Sequence, residues 1–257
     1  MKLNIAIGRS AAVLTGVLLI SLGGIARATL VEGFESGVFG AGESAVGDAG
    51  IKGTYFGIAP TQGTKQLLLT TINNTSDPGY TNQNGSDAVN NATLATFFGV
   101  SGTLIRDGIA VSQEGSGFKM DLGMLTVGTV ITLNYDFLTD EVPSGQNRDF
   151  AFYTLTGSSG VTVIADSFSP LLTPTTGVGN PFALETGYQT LMITITTTGT
   201  YTLGLGVSDA TTMDNPSGLL IDNIQVISPV PEPTTIGFSV AGAALLVALR
   251  KRIKKTA

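Results

Sequence analysis

The run Asp136-Phe137-Leu138-Thr139-Asp140-Glu141, followed by Asn147-Arg148-Asp149-Phe150, is rich in acids. Asp140, Glu141 and Asp149 could line a cation site or a sugar site, and paired carboxylates are also what glycoside hydrolysis needs. A solvated hairpin loop would carry the same residues, with Arg148 neutralising a neighbour. A further acid, Asp222, sits in Leu220-Ile221-Asp222-Asn223-Ile224-Gln225-Val226. If that strand has no bulge, Leu220, Asp222, Ile224 and Val226 share one face. An acid in phase with core residues needs a cation or several donors, because an unpaired buried charge is costly.

Other chemistries are excluded by inventory. The 257 residues include no His, Cys or Trp. Without His the chain lacks the commonest general base and zinc ligand; without Cys it has neither disulfides nor thiolate chemistry. Ser/His/Asp and Cys/His hydrolases are therefore ruled out, and we expect no enzyme. Charge is also segregated. Lys2, Arg9 and Arg27 lie at the start, and Arg250, Lys251, Arg252, Lys254 and Lys255 at the end. Between Thr29 and Pro229, 18 acids face five bases, a net of −13. Such a body repels phosphate backbones, which excludes nucleic acid as a partner and favours divalent cations.

These acids need positioning elements, and the sequence predicts strands. Ile131, Leu133, Tyr135 and Phe137 alternate with polar residues across Thr129–Thr139, the pattern of a half-buried strand. Similar stretches are Lys52–Ile58, Gln66–Ile72, Ser116–Met120, Asp149–Leu155, Gly160–Ala165, Thr190–Thr197, Thr200–Val207 and Gly218–Ile227. Clusters of Gly, Pro, Asn and Asp separate them. We expect an all-β, two-sheet sandwich of jelly-roll type. Asn91–Phe98 reads as one short helix, and Asn73–Asn91 as a long polar loop, either solvated or carrying a ligand.

The two ends are different in kind. Residues 1–28 read as a signal peptide: a positive start, an apolar run from Ala11 to Ile25, and Ala26-Arg27-Ala28 for cleavage. The body then spans 29–228. Residues 229–257 form a tail: Val230-Pro231-Glu232-Pro233, an apolar stretch from Ile236 to Leu249, and the basic cluster Arg250, Lys251, Arg252. The prolines break regular structure, and the stretch is short against the roughly 20 residues of a membrane helix. The basic cluster favours the cytoplasmic side, leaving the body outside.

This tail resembles the PEP-CTERM sorting signal of Gram-negative bacteria that make extracellular polysaccharide. The resemblance covers Val230 to Ala257 only. It implies recognition by an exosortase, a membrane cysteine protease, with removal of the tail near the Pro-Glu-Pro. The expected route is export by the secretion machinery, transit through the inner membrane by the C-terminal helix, then the cell surface or the extracellular space.

Gly33-Phe34-Glu35-Ser36-Gly37 with the late Ile221-Asp222-Asn223-Ile224 resembles bacterial jelly-roll domains, including carbohydrate-binding modules. That resemblance implies a structural calcium held with the help of Glu35 and Asp222. Three functions follow as candidates. The first is a non-catalytic structural or adhesive surface protein linked to extracellular polysaccharide. The alternative is a lectin-like carbohydrate-binding module, with Tyr55, Tyr80, Tyr135, Tyr153, Tyr188 and Tyr201 replacing the absent Trp as stacking residues. The third is a polysaccharide-active enzyme built on the loop acids.

Overall fold

The computed structural model describes residues 28–101, 104–106, 110–141, 148–156, 160–175, 177 and 179–229. These belong to one compact unit, Ala26–Pro229. The signal segment before Ala28, the tail from Val230 onward and Asn147 lie outside the described residues. Among the described residues, no helix is long and apolar enough to cross a membrane.

Alternating apolar residues fold into two antiparallel sheets. The first contains β1 (Ala28–Glu32), β3 (Asp48–Lys52), β4 (Gln66–Thr70), β8 (Val130–Thr139), β11 (Thr173–Pro174), β12 (Leu184–Glu185), β13 (Gln189–Thr194) and β15 (Ser217–Ile227). Its main order is β11-β12-β8-β15-β4-β3, with β1 on β15 and β13 on β8. The second contains β2 (Glu43–Val46), β5 (Val89–Asn90), β6 (Ile105–Arg106), β7 (Ala110–Leu125), β9 (Phe150–Leu155), β10 (Thr162–Asp166) and β14 (Gly199–Ala210). Its main order is β10-β9-β14-β7-β2. The chain changes sheet between β1 and β2, β2 and β3, β4 and β5, β7 and β8, β8 and β9, β10 and β11, β13 and β14, and β14 and β15.

The core lies between the sheets. Ile131, Leu133, Tyr135 and Phe137 of β8 enter it together, as their spacing predicts. They meet Leu67 and Leu69 of β4, Phe118 and Met120 of β7, and Leu203, Leu205 and Val207 of β14. The outer face of the first sheet is covered too. Leu68, Leu138 and Leu220 pack there with Ile72 and Phe182 under loop residues Tyr55, Phe56, Tyr80 and Tyr188.

The helix α1 (Asn91–Phe98) occupies the residues the sequence assigns to it. Asn90 caps its start by accepting from the Thr93 N–H, and Gly99 ends it at φ 70°. Leu94 and Ala95 pack on Phe150, Phe152 and Ala210 at the outer face of the second sheet. Glycine in β7 and β14 permits this approach. A Cβ on Gly117 would stand 2.5 Å from the Phe98 ring.

Two expectations change. The strand placed at Lys52–Ile58 ends at Lys52, because Phe56 (φ 49°) and Gly57 (φ 87°) turn the chain and Tyr55 bridges back to Ile58. In β15 a bulge does intervene: the register on β8 shifts between Asp222 and Gln225, with Asn223 at φ 55°. Leu220 and Asp222 therefore face away from the core, whereas Ile224 and Val226 join Leu219 and Ile221 on the core side.

Candidate metal centre

Strand register brings together acids far apart in sequence. In β7, Glu114 and Ser116 precede Phe118 and Met120 in phase; in β14, Asp209 follows Leu203, Leu205 and Val207 in phase. Both acids therefore point between the sheets, where the apolar core ends. The β7–β14 ladder sets Asp209 directly opposite Glu114. Two like charges in that relation repel. Asp77, from the polar loop after β4, completes the group. Asp77, Glu114 and Asp209 are 0%, 3% and 0% exposed. Each offers a carboxylate oxygen within 4.8 Å of the others. This buried set could hold a metal ion.

Its hydrogen bonds are unevenly distributed. The Glu114 oxygens accept from the Asn73 side-chain amide at 2.9 Å and the Ser76 hydroxyl at 2.6 Å. One Asp77 oxygen accepts from the Asn73 N–H at 2.7 Å, while the other has no donor. Neither oxygen of Asp209 receives a hydrogen bond from an amide or hydroxyl; its side-chain neighbour is the Asp149 carboxyl, with which it can only share a proton. Burial pushes the Asp77 carboxyl up to about 6, helped by the charges of Glu114 and Asp214. Burial and then the charge of Asp149 push Asp209 well above the ordinary carboxylate range.

The loop acids expected at a ligand site extend this centre inward. Asp149 is fully buried and accepts from the Ala210 N–H at 3.0 Å and the Ser217 hydroxyl at 2.7 Å. Glu141 is 2% exposed, with one oxygen lacking a donor. Asp140 receives the Tyr80 hydroxyl. Arg148 stacks on the Phe168 ring at 4.3 Å instead of neutralising an adjacent acid. Glu141 and Asp149 are buried, a placement unlike the substrate-facing carboxylates of glycoside hydrolysis.

Glu35 and Asp222 take another part. Glu35 accepts from the Thr64 N–H and hydroxyl and the Lys65 N–H, at 2.8, 2.9 and 3.0 Å. Those hydrogen bonds hold its carboxyl below the ordinary range. Asp222 accepts from the Thr61 hydroxyl, the Gln62 N–H and the Asn223 N–H, at 2.8, 2.7 and 2.7 Å. The two acids thus grip successive parts of one loop, residues 61–65. The several donors that a buried Asp222 requires are protein groups.

The polar loop is pinned rather than freely solvated. Buried Asp48 accepts from the Gln83 and Asn84 N–H groups, and Asp77 anchors the loop's start. Asp77, Glu114 and Asp209 are not among the acids that the motifs above single out. The signal was present: Glu114 and Asp209 each lie in phase with core residues.

A separate cleft of about 350 Å³ opens on the outer face of the second sheet, at the C-terminal end of α1. Thr96, Phe97, Phe98, Lys119, Thr154, Thr156 and Thr202 line it. Gly204, opposite both Lys119 and Thr154, lets the Phe98 ring sit close on the sheet there: a Cβ would stand 2.7 Å from that ring. Lys119 donates to the Phe97 carbonyl at 2.6 Å and lies 4.4 Å over the Phe97 ring. The tyrosines do not supply a stacking platform. Tyr135 is in the core, Tyr153 and Tyr201 pack against it, and the hydroxyls of Tyr55, Tyr80 and Tyr188 are tied to Gln83, Asp140 and Gln66.

No family model and no curated protein matches the chain. Solved structures similar to it include the K1 cleaved adhesin domain of Lys-gingipain from Porphyromonas gingivalis W83. That match has 12% identity, covers 80% of this chain and 99% of that one, and has a TM-score of 0.41. TmCBM27, a carbohydrate-binding module that recognises mannan, gives 16% identity, 79% and 99% coverage and a TM-score of 0.41. TmCBM61, solved with β-1,4-galactotriose, gives 11% identity, 77% and 94% coverage and a TM-score of 0.37.

Proposed function

We propose that the chain is a non-catalytic, exported surface protein whose jelly-roll sandwich binds extracellular polysaccharide through the cleft beside α1. The cleft carries the proposal. Its volume is that of a small-ligand site, and it offers threonine hydroxyls, one ammonium and two aromatic rings, which suit a sugar's hydroxyls and apolar ring face. The net charge of −13 on the body favours a neutral polymer over an anionic one. The burial of Glu141 and Asp149 favours binding without cleavage. Delivery is assigned to the Val230-Pro231-Glu232-Pro233 tail, read by an exosortase after secretion.

A glycan array followed by calorimetry tests this reading. The expected ligand is a neutral polysaccharide, bound without loss of chain length. Lys119→Met removes one charge-assisted hydrogen bond, worth about 1.5–3 kcal/mol, so affinity falls roughly tenfold to a hundredfold. Silence on the array, or equal affinity in the variant, would overturn the cleft assignment.

A further inference from the structure

We propose that Asp209, Asp77 and Glu114 bind one calcium ion, which clamps the polar loop after β4 onto the edge of the second sheet. This does not depend on the cleft. The first observation is Asp209 itself: it is fully buried, and both of its oxygens lack donors. A buried carboxylate is ordinarily hydrogen-bonded or paired. Here the one side-chain partner is another acid, Asp149, which can offer only a shared proton, whereas three donors are spent on each of Glu35 and Asp222. Two bare oxygens on one carboxylate are a bidentate ligand for a cation. The free oxygen of Asp77 adds a third, and Glu114 a fourth.

The second observation is charge. Asp209 faces Glu114 across the ladder, with Asp77 and Asp149 alongside. Three cationic side chains are engaged elsewhere. Lys52 donates to Gln83, Lys119 to Phe97, and Arg148 lies over Phe168. A bound cation would offset this charge without a shared proton.

The donor set selects the ion. All ligands are oxygen, and a chain without His or Cys offers nothing to a metal that prefers nitrogen or sulfur. Calcium accepts irregular, partly bidentate carboxylate shells. Magnesium keeps several waters in strict octahedral geometry, for which a fully buried Asp209 leaves little room. Asn73 and Ser76, which donate to Glu114, hold the loop in place around the ion.

The test uses the full chain, stripped with EDTA and titrated by calorimetry, with melting curves alongside. One calcium per chain is expected, raising the melting temperature by about 5–10 °C at a hundredfold excess over Kd. Asp209→Asn should weaken calcium binding by at least about a hundredfold. In EDTA the same variant should melt above wild type, since it removes a repelling charge. Asp77→Asn repeats the test should the first variant fold poorly. Glu35→Gln should leave calcium affinity unchanged. The proposal is overturned by no calcium response in wild type, by wild-type affinity in the Asp209 and Asp77 variants, by loss of binding in Glu35→Gln, or by equal binding of magnesium.

Discussion

Asp136 shows how a single buried acid sets a pH dependence. It is 1% exposed on the outer face of the first sheet and accepts from the Thr186 hydroxyl at 3.1 Å. Burial, then the charge of Glu185, pushes it up to about 7 from an ordinary 3.8. The folded protein thus holds this proton more tightly than the unfolded chain. The stability it contributes is fully present below about pH 4 and is lost as pH rises through 7, by at most about 4 kcal/mol. Asp136→Asn should gain on wild type as pH increases from 5 to 8. Urea midpoints for both proteins across that range check this, and parallel curves would contradict it. At this scale the sequence is informative only when phase is applied evenly. The rule that singles out Asp222 also applies to Asp209 after Leu203, Leu205 and Val207, and to Glu114 before Phe118. Nothing local announces Asp77, which owes its role to a loop folding back on a strand.

Elements were more legible than their junctions. Long alternating runs such as β8 and a capped helix such as α1 carry their own signal. Short β2, β5 and β6 do not, because two to four residues hold no period and pairing with β7 alone makes them strands. The bulge in β15 escaped for another reason: Asn223 tolerates a left-handed backbone, but neither its identity nor its neighbours require one. Gly115 gives the tightest test at this scale. It lies on β7 beside Glu114, and a Cβ there would stand 2.2 Å from the Val207 carbonyl oxygen and 2.9 Å from Leu94. A backbone oxygen cannot step aside cheaply, so Gly115→Ala must spread β7 from β14. We expect a loss of about 1–3 kcal/mol, the range for overpacking, and weaker calcium binding because Glu114 and Asp209 separate. Gly160→Ala, with no atom within 4 Å of the added carbon, is the control and should change the urea midpoint little.

The whole molecule joins an acidic sandwich to ends of opposite charge, and this arrangement bears on delivery. A calcium-clamped body would be unclamped in a cytosol poor in free calcium and would close once outside, where modules with Kd of about 10⁻⁴–10⁻³ M fill. That order would suit the proposed export, in which the chain crosses a membrane before it folds. Ala28, the last residue of the expected signal, opens β1 opposite Ile227, so cleavage after it would start the mature chain at Thr29, within the same strand. At the other end β15 finishes at Ile227, and Pro229 follows it without an N–H to donate to a ladder. If an exosortase reads this tail, the protein recovered from its host should lack the residues beyond the Pro-Glu-Pro. Replacing Pro231, Glu232 and Pro233 by alanine should leave them attached, with the product retained in the membrane fraction. Intact-mass spectrometry of the two proteins separates the cases. A full-length wild-type product would reduce the tail to an ordinary anchor, and the same mass shortfall in both would show that Pro231-Glu232-Pro233 is not what is read, while leaving the cleft and the buried acids as they stand.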